Sequence, residues 1–99
     1  MWYAMFSEDV ESSLPLRKIP RAAHLVRLEE LANAERLLVA GPHPAIDNEE
    51  PGEEGFTGSL IVAQFESLKA AQAWADQDPY VLNNVYKKVV VKPYKRVLP

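Results

Sequence analysis

Two side chains in this sequence, His24 and Asp78, could share a proton. An imidazole in water titrates at about pH 6.5, so near neutrality it can both take and give a proton. A carboxylate beside it would fix its tautomer and stabilise the imidazolium. His24 stands one helical turn before Leu28 and two before Leu31, on or beside the apolar face of a helical stretch. A packed core histidine would occupy the same place, and spacing does not choose between the two. Asp78 precedes Pro79, which also reads as a helix start: a capping side chain, then proline at the first position. Nothing in the linear spacing joins residues 24 and 78; only a fold can. Arg21, one turn before His24, could hold an anionic group.

Gly41-Pro42 and Gly58-Ser59 bracket a stretch without periodicity, Pro42 to Gly58, that holds three prolines, four glutamates and three glycines. Structureless connections of that length are uncommon in compact domains, so it reads as a lid or pocket wall, or as a tolerated insertion. Glycine there permits a tight turn or close approach of a ligand, and Ser59 adds a hydroxyl. His43 and Asp47 lie inside the stretch and could join His24 around a metal. No paired histidine or cysteine spacing supports that, and no metal is expected. There is no glycine-rich phosphate loop or dinucleotide fingerprint, so no cofactor is expected either.

The elements that must position these residues can be read from periodicity. Trp2 to Phe6 is a strand, followed by a loop with Pro15 and Pro20. Pro20 to Arg36 repeats apolar residues every three or four positions and is a helix. Leu37 to Ala40 and Leu60 to Phe65 are strands. Ser67 caps a second helix through Leu68, Ala71, Trp74 and Ala75. A short turn or helix opens at Asp78-Pro79, and a last strand runs from Lys87 to Val97, interrupted by Pro93. The order β-α-β-β-α-β predicts a single α+β domain over residues 1–99, of the ferredoxin-like type, with an antiparallel sheet and both helices on one face. In that arrangement the ends of the first helix and of the segment before the last strand can approach one edge of the sheet. Leu60 to Phe65 is apolar on both sides, as strands buried on both faces are. Two helices cover one face, so a homodimer is expected to cover the other.

Composition narrows the partners. The net charge is −3, which argues against a general nucleic-acid binder. Lys87, Lys88, Lys92, Lys95 and Arg96, flanked by Tyr86 and Tyr94, read as charges that protect an edge strand from unwanted pairing. No apolar run of about 18 residues is present, so no membrane span is expected. The chain has no cysteine and opens on a strand-like segment with no secretory pattern, which leads to the expectation of a cytoplasmic protein.

Several fragments, in their order and spacing, resemble the YCII-related (YciI-like) family over nearly the whole chain. They are Arg21-Ala22-Ala23-His24-Leu25, Ala40-Gly41-Pro42, Gly55-Phe56-Thr57-Gly58-Ser59, Ser67-Leu68-Lys69-Ala70-Ala71 with Trp74-Ala75, Asp78-Pro79-Tyr80, and Val91-Lys92-Pro93-Tyr94. The resemblance implies a dimeric α+β barrel and a pocket centred on a histidine and an aspartate, at His24 and Asp78 here. Around that pair, Arg21, Gly41, Pro42, Ser59 and Tyr80 are the candidate ligand contacts. Some relatives resemble dehydrochlorinases, and the expected function is a cofactor-independent enzyme, a lyase or isomerase of that type, acting on a small cyclic or aromatic metabolite. The alternative is a non-catalytic module that binds a small molecule, or modulates an enzyme, through the same pocket. Fold similarity alone does not carry function between proteins.

Overall fold

The computed structural model describes all 99 residues. In β1 (Trp2–Asp9) Tyr3, Met5, Ser7 and Asp9 are buried, whereas Phe6 and Glu8 are exposed. This period of two sends the odd positions towards the helices. Two helices follow, α1 (Leu14–Lys18) and α2 (Arg21–Asn33). The first of these lies where the sequence predicts a loop containing Pro15 and Pro20. Pro15 sits there in the first turn, where its missing N–H costs nothing. On α2 the buried residues are His24, Leu28 and Leu31, spaced four and three apart, so the imidazole lies on the core-facing stripe.

The chain continues through β2 (Leu37–Pro44), a short 3₁₀ turn (Gly52–Glu54), β3 (Phe56–Gln64), α3 (Leu68–Asp76), α4 (Pro79–Leu82) and β4 (Tyr86–Tyr94). The four strands are antiparallel in the order β2-β3-β1-β4. Tyr3, Met5, Ile61 and Ala63 of the sheet, with Phe65 just after β3, pack with Leu28 and Leu31 of α2 and with Ala71 and Ala75 of α3 in one core. Both long helices therefore cover the same face, as the ferredoxin-like βαββαβ order requires. Small side chains on α3, Ala71 and Ala75 one turn apart, let it lie close to the sheet, and the Ser67 hydroxyl caps it by accepting from the Ala70 N–H at 3.0 Å.

The connection between β2 and β3 is shorter than the sequence suggests. Gly41-Pro42 does not stop the strand: β2 runs on through His43 and Pro44, and β3 begins at Phe56 rather than Leu60. The irregular stretch is thus residues 45–55, with a 3₁₀ turn inside it. The physical reason is position. β2 is an edge strand, so Pro42 and Pro44 need no ladder hydrogen bond on their open side. Pro93 sits in β4, the other edge, for the same reason.

The face away from the helices is not uniformly buried. Ala4 and Val62 are buried there, while Phe6 and Val39 are half exposed. Register places Phe6 beside Leu60 and Val90, and Val62 between Ala4 and Val39, so these apolar side chains form one continuous strip. No helix is long and apolar enough to cross a membrane.

Candidate functional site

α4 docks on the start of α2, and this contact joins His24 and Asp78. Asp78 is the N-cap of α4, and its Oδ1 accepts from the Tyr80 N–H at 2.9 Å. The same oxygen lies 2.8 Å from His24 Nδ1. Capping and holding the imidazole, two separate readings of Asp78 in the sequence, are therefore done by one atom. An ionised carboxylate has no proton to give, so Nδ1 carries the hydrogen and donates it. Nε2 of the neutral ring is then the acceptor, and it has no protein partner. The Tyr80 ring lies flat on the imidazole, with centroids 3.9 Å apart and planes 3° from parallel, and Tyr86 meets it edge-on at 6.5 Å. Two aromatic rings and one carboxylate leave the imidazole a single orientation.

Beside this imidazole is an open hollow of about 140 Å³. Arg21, His24, Gly41, Pro42, Ser59 and Tyr80 line it, with Leu25, Leu28, Ala40 and Ile61 as its apolar wall. Asp78 stands behind the ring rather than in the wall. The residues named from the sequence thus converge from α2, β2, β3 and α4. Gly41 lies within a strand instead of a turn, and a Cβ built on it would meet nothing within 4 Å. His43 and Asp47 lie elsewhere, lining a groove at the far end of β2. Nowhere do three histidine or acidic side chains come together in a way that could hold a metal ion.

One wall residue was not singled out from the sequence. Arg17 of α1 is buried and grips Asp9, Nε to Oδ2 at 2.6 Å and Nη2 to Oδ1 at 3.0 Å. Nη2 also donates to the Gly58 carbonyl at 2.9 Å and to Ser59 Oγ at 3.1 Å, and Ser13 Oγ donates to Asp9 Oδ2 at 2.6 Å. Burial works against the Arg17 charge, but the Asp9 hydrogen bonds and opposite charge more than offset this, and its pKa rises above the usual arginine value. The guanidinium also sits 5.2 Å from the centroids of both Phe56 and Tyr80. A signal did exist in the sequence: the alternation that buries Tyr3, Met5 and Ser7 puts Asp9 on the same inward side, where a carboxylate needs a cationic partner.

Tyr86 stands at the back of the site, on β4. Burial pushes its hydroxyl up to about 12. The hydroxyls of Ser59 and Ser7 are near enough to favour its ionised form weakly, yet neither is in hydrogen-bonding geometry with the Tyr86 oxygen, which is buried without a partner.

The chain has relatives. The model of the YCII-related domain family matches residues 1–95. A curated protein of Escherichia coli, Protein YciI, is 55% identical over 97 residues, covering 98% of this chain and 99% of its own length. An "Uncharacterized protein" of Haemophilus influenzae is 54% identical over the same length, again covering 98% of this chain and 99% of that one. Among solved structures, 5-chloro-2-hydroxyhydroquinone dehydrochlorinase from Burkholderia phenoliruptrix, in complex with 2,5-dihydroxybenzoquinone, superposes with a TM-score of 0.83. That enzyme is 25% identical to this chain, and the match covers 96% of this chain and 94% of the enzyme.

Proposed function

The chain belongs to the YCII-related domain family, and on that premise we propose that it is a cofactor-independent lyase or isomerase acting on a small cyclic or aromatic metabolite. The observation that carries this reading is the 2.8 Å contact of His24 Nδ1 with Asp78 Oδ1, with Nε2 unpartnered beside a hollow. A cavity of about 150 Å³ lined by apolar side chains accepts a benzene ring. The hollow here, about 140 Å³ and open at its mouth, suits one six-membered ring with its substituents reaching out.

In this reading Nε2 removes a proton from the bound molecule, and Asp78 supports the imidazolium that results. In an elimination, the electron pair left on the substrate forms the new double bond, and a leaving group such as chloride departs from the neighbouring carbon. In an isomerisation, Nε2 returns the proton at a different carbon. Proton transfer by a positioned side chain contributes about 10²–10⁴ in rate. The name of the solved relative, a dehydrochlorinase, favours the elimination. Arg21, Gly41, Pro42, Ser59 and Tyr80 are the proposed ligand contacts. A second copy of the chain is the proposed partner, seated on the apolar strip of the open sheet face. The proposed setting is the cytoplasm.

The test is a metabolite screen by thermal shift, with mass spectrometry of every compound that stabilises the protein. Substrate conversion that disappears in His24→Ala and falls about 10²–10⁴-fold in Asp78→Asn is expected. Asparagine caps helices about as well as aspartate, so that variant should stay folded. Full turnover in His24→Ala would overturn the mechanism. Ligands recovered chemically unchanged by the wild-type protein would make the pocket a binding module instead.

A further inference from the structure

The wall of the hollow is electrostatically one-sided. It contains two guanidinium groups and an imidazole, and no carboxylate, in a chain whose net charge is −3. Asp9 and Asp78, the acidic groups nearest to it, are buried and face away into the protein, one held by Arg17 and Ser13, the other by His24 and the Tyr80 N–H. Arg17 uses Nε and Nη2 for its four protein hydrogen bonds, and Nη1 is left without a protein partner. Arg21, at the first position of α2, makes no ion pair with any carboxylate. Arg17 is held by Asp9 and by two ring faces, and Arg21 is the exposed member of the pair.

We infer that these two arginines form an oxyanion subsite, so that the molecule bound here is a weak organic acid of single-ring size, held as its conjugate base. The inference rests on the acid–base reading of His24 and narrows its substrate class to cyclic enols, phenols and their like. Such an acid enters neutral. Its O–H bond breaks, the proton moves to Nε2, and the electron pair stays on the oxygen facing Arg17 Nη1 and Arg21. No charge is created or lost overall, because the oxyanion and the imidazolium form together. Donors fixed in place before the charge develops stabilise it more than water, which must reorganise, would. A neutral ligand without an acidic hydroxyl would leave the Arg21 charge, the one with no carboxylate partner, unanswered. The titratable groups facing the imidazole and the hollow are Arg17 of α1, Arg21 of α2, Asp78 and Tyr80 at the start of α4, and Tyr86 of β4.

The experiment uses 4-nitrophenol, whose phenolate is yellow and whose phenol is not, with 4-nitroanisole as its non-ionisable match. The full-length protein is titrated into the phenol at a pH where the free compound is mostly protonated. Growth of the phenolate band, with binding about tenfold or more tighter than that of the anisole, is the expected result, on the scale of one hydrogen bond to a charge. Arg21→Gln, at an exposed position, should lose that preference while keeping the fold. Arg17→Lys keeps a cation for Asp9 but removes the fork, and should weaken the phenolate as well. Equal affinity for the phenol and the anisole, binding of the phenol without the yellow band, or no binding of either would overturn the subsite. His24→Gln separates the two readings. If the arginines still hold the phenolate but its appearance with pH is unchanged from wild type, the subsite stands and the proton-transfer role of His24 fails.

Discussion

Asp78 Oδ1 serves two donors, a backbone N–H and an imidazole, and that economy explains why a short helix can orient a reactive group. The four residues of α4 would be marginal on their own, but the cap ties them to α2 through His24. Tyr86 shows the opposite condition, a hydroxyl buried with no partner. An unsatisfied buried hydroxyl costs about 1–3 kcal/mol, so Tyr86→Phe should stabilise the fold by about 1 kcal/mol in urea denaturation. The direction of the pH dependence follows from the same residue. Its ordinary pKa is 10, and burial raises it to about 12 in the folded chain. Between those values the unfolded chain has lost the proton that the folded chain keeps, so stability falls as pH rises through that window. Burial raises Tyr80 as well, in the same direction. Denaturation midpoints measured across the alkaline range should fall less steeply in Tyr86→Phe than in wild type. An unchanged slope would show that another group governs the alkaline loss.

At the scale of elements, what could be read in the sequence depended on how local the determinant was. The stripe of His24, Leu28 and Leu31, the Ser67 cap and the Asp78-Pro79 start are each set within a few residues, and the elements they mark are present. The length of β2 was not legible, because whether proline may stand in a strand depends on which strand lies at the edge of the sheet. Arg17 was hidden for a related reason. Its partners, Asp9, Gly58 and Ser59, come from two other elements; the alternation of β1 turns Asp9 inward, but no local pattern says which cation meets it. Gly58 is where those elements press together. A Cβ there would lie 2.0 Å from the Ser7 carbonyl oxygen, which is backbone and cannot swing aside. Gly58→Ala should therefore cost about 3 kcal/mol, at the upper end for overpacking, and should displace the carbonyl that anchors Arg17. Gly41→Ala is the control: a Cβ there meets open space, and its denaturation midpoint should correspond to a change within about 0.5 kcal/mol. Similar midpoints for the two variants would mean that β1 and β3 can separate at Gly58 without penalty.

For the whole molecule, the question is the face that the helices leave open. Four strands expose Phe6 at 50% and Val39 at 47% on that side, with Leu60 and Val90 flanking Phe6 in register. Scattered apolar residues on a surface need no explanation, but a continuous strip across a sheet is what a second sheet would cover. A two-fold axis is the simplest way to supply one, since the same strip then meets itself and each residue finds an apolar counterpart. The strip lies on the side of the sheet opposite the His24 hollow, so pairing there would leave the hollow's mouth on the helix side. On this argument the chain in solution should have twice the 11.1 kDa mass of one copy by sedimentation equilibrium. Phe6→Glu should convert it to a monomer, because a two-fold contact would bury a carboxylate of each copy within the apolar strip. Phe6 is half exposed within one copy and contributes nothing to the core under the helices, so the monomer should keep its helical and sheet circular dichroism. A wild-type protein of single-chain mass, or a Phe6→Glu variant that still pairs, would mean that this face is left to solvent or pairs by another surface.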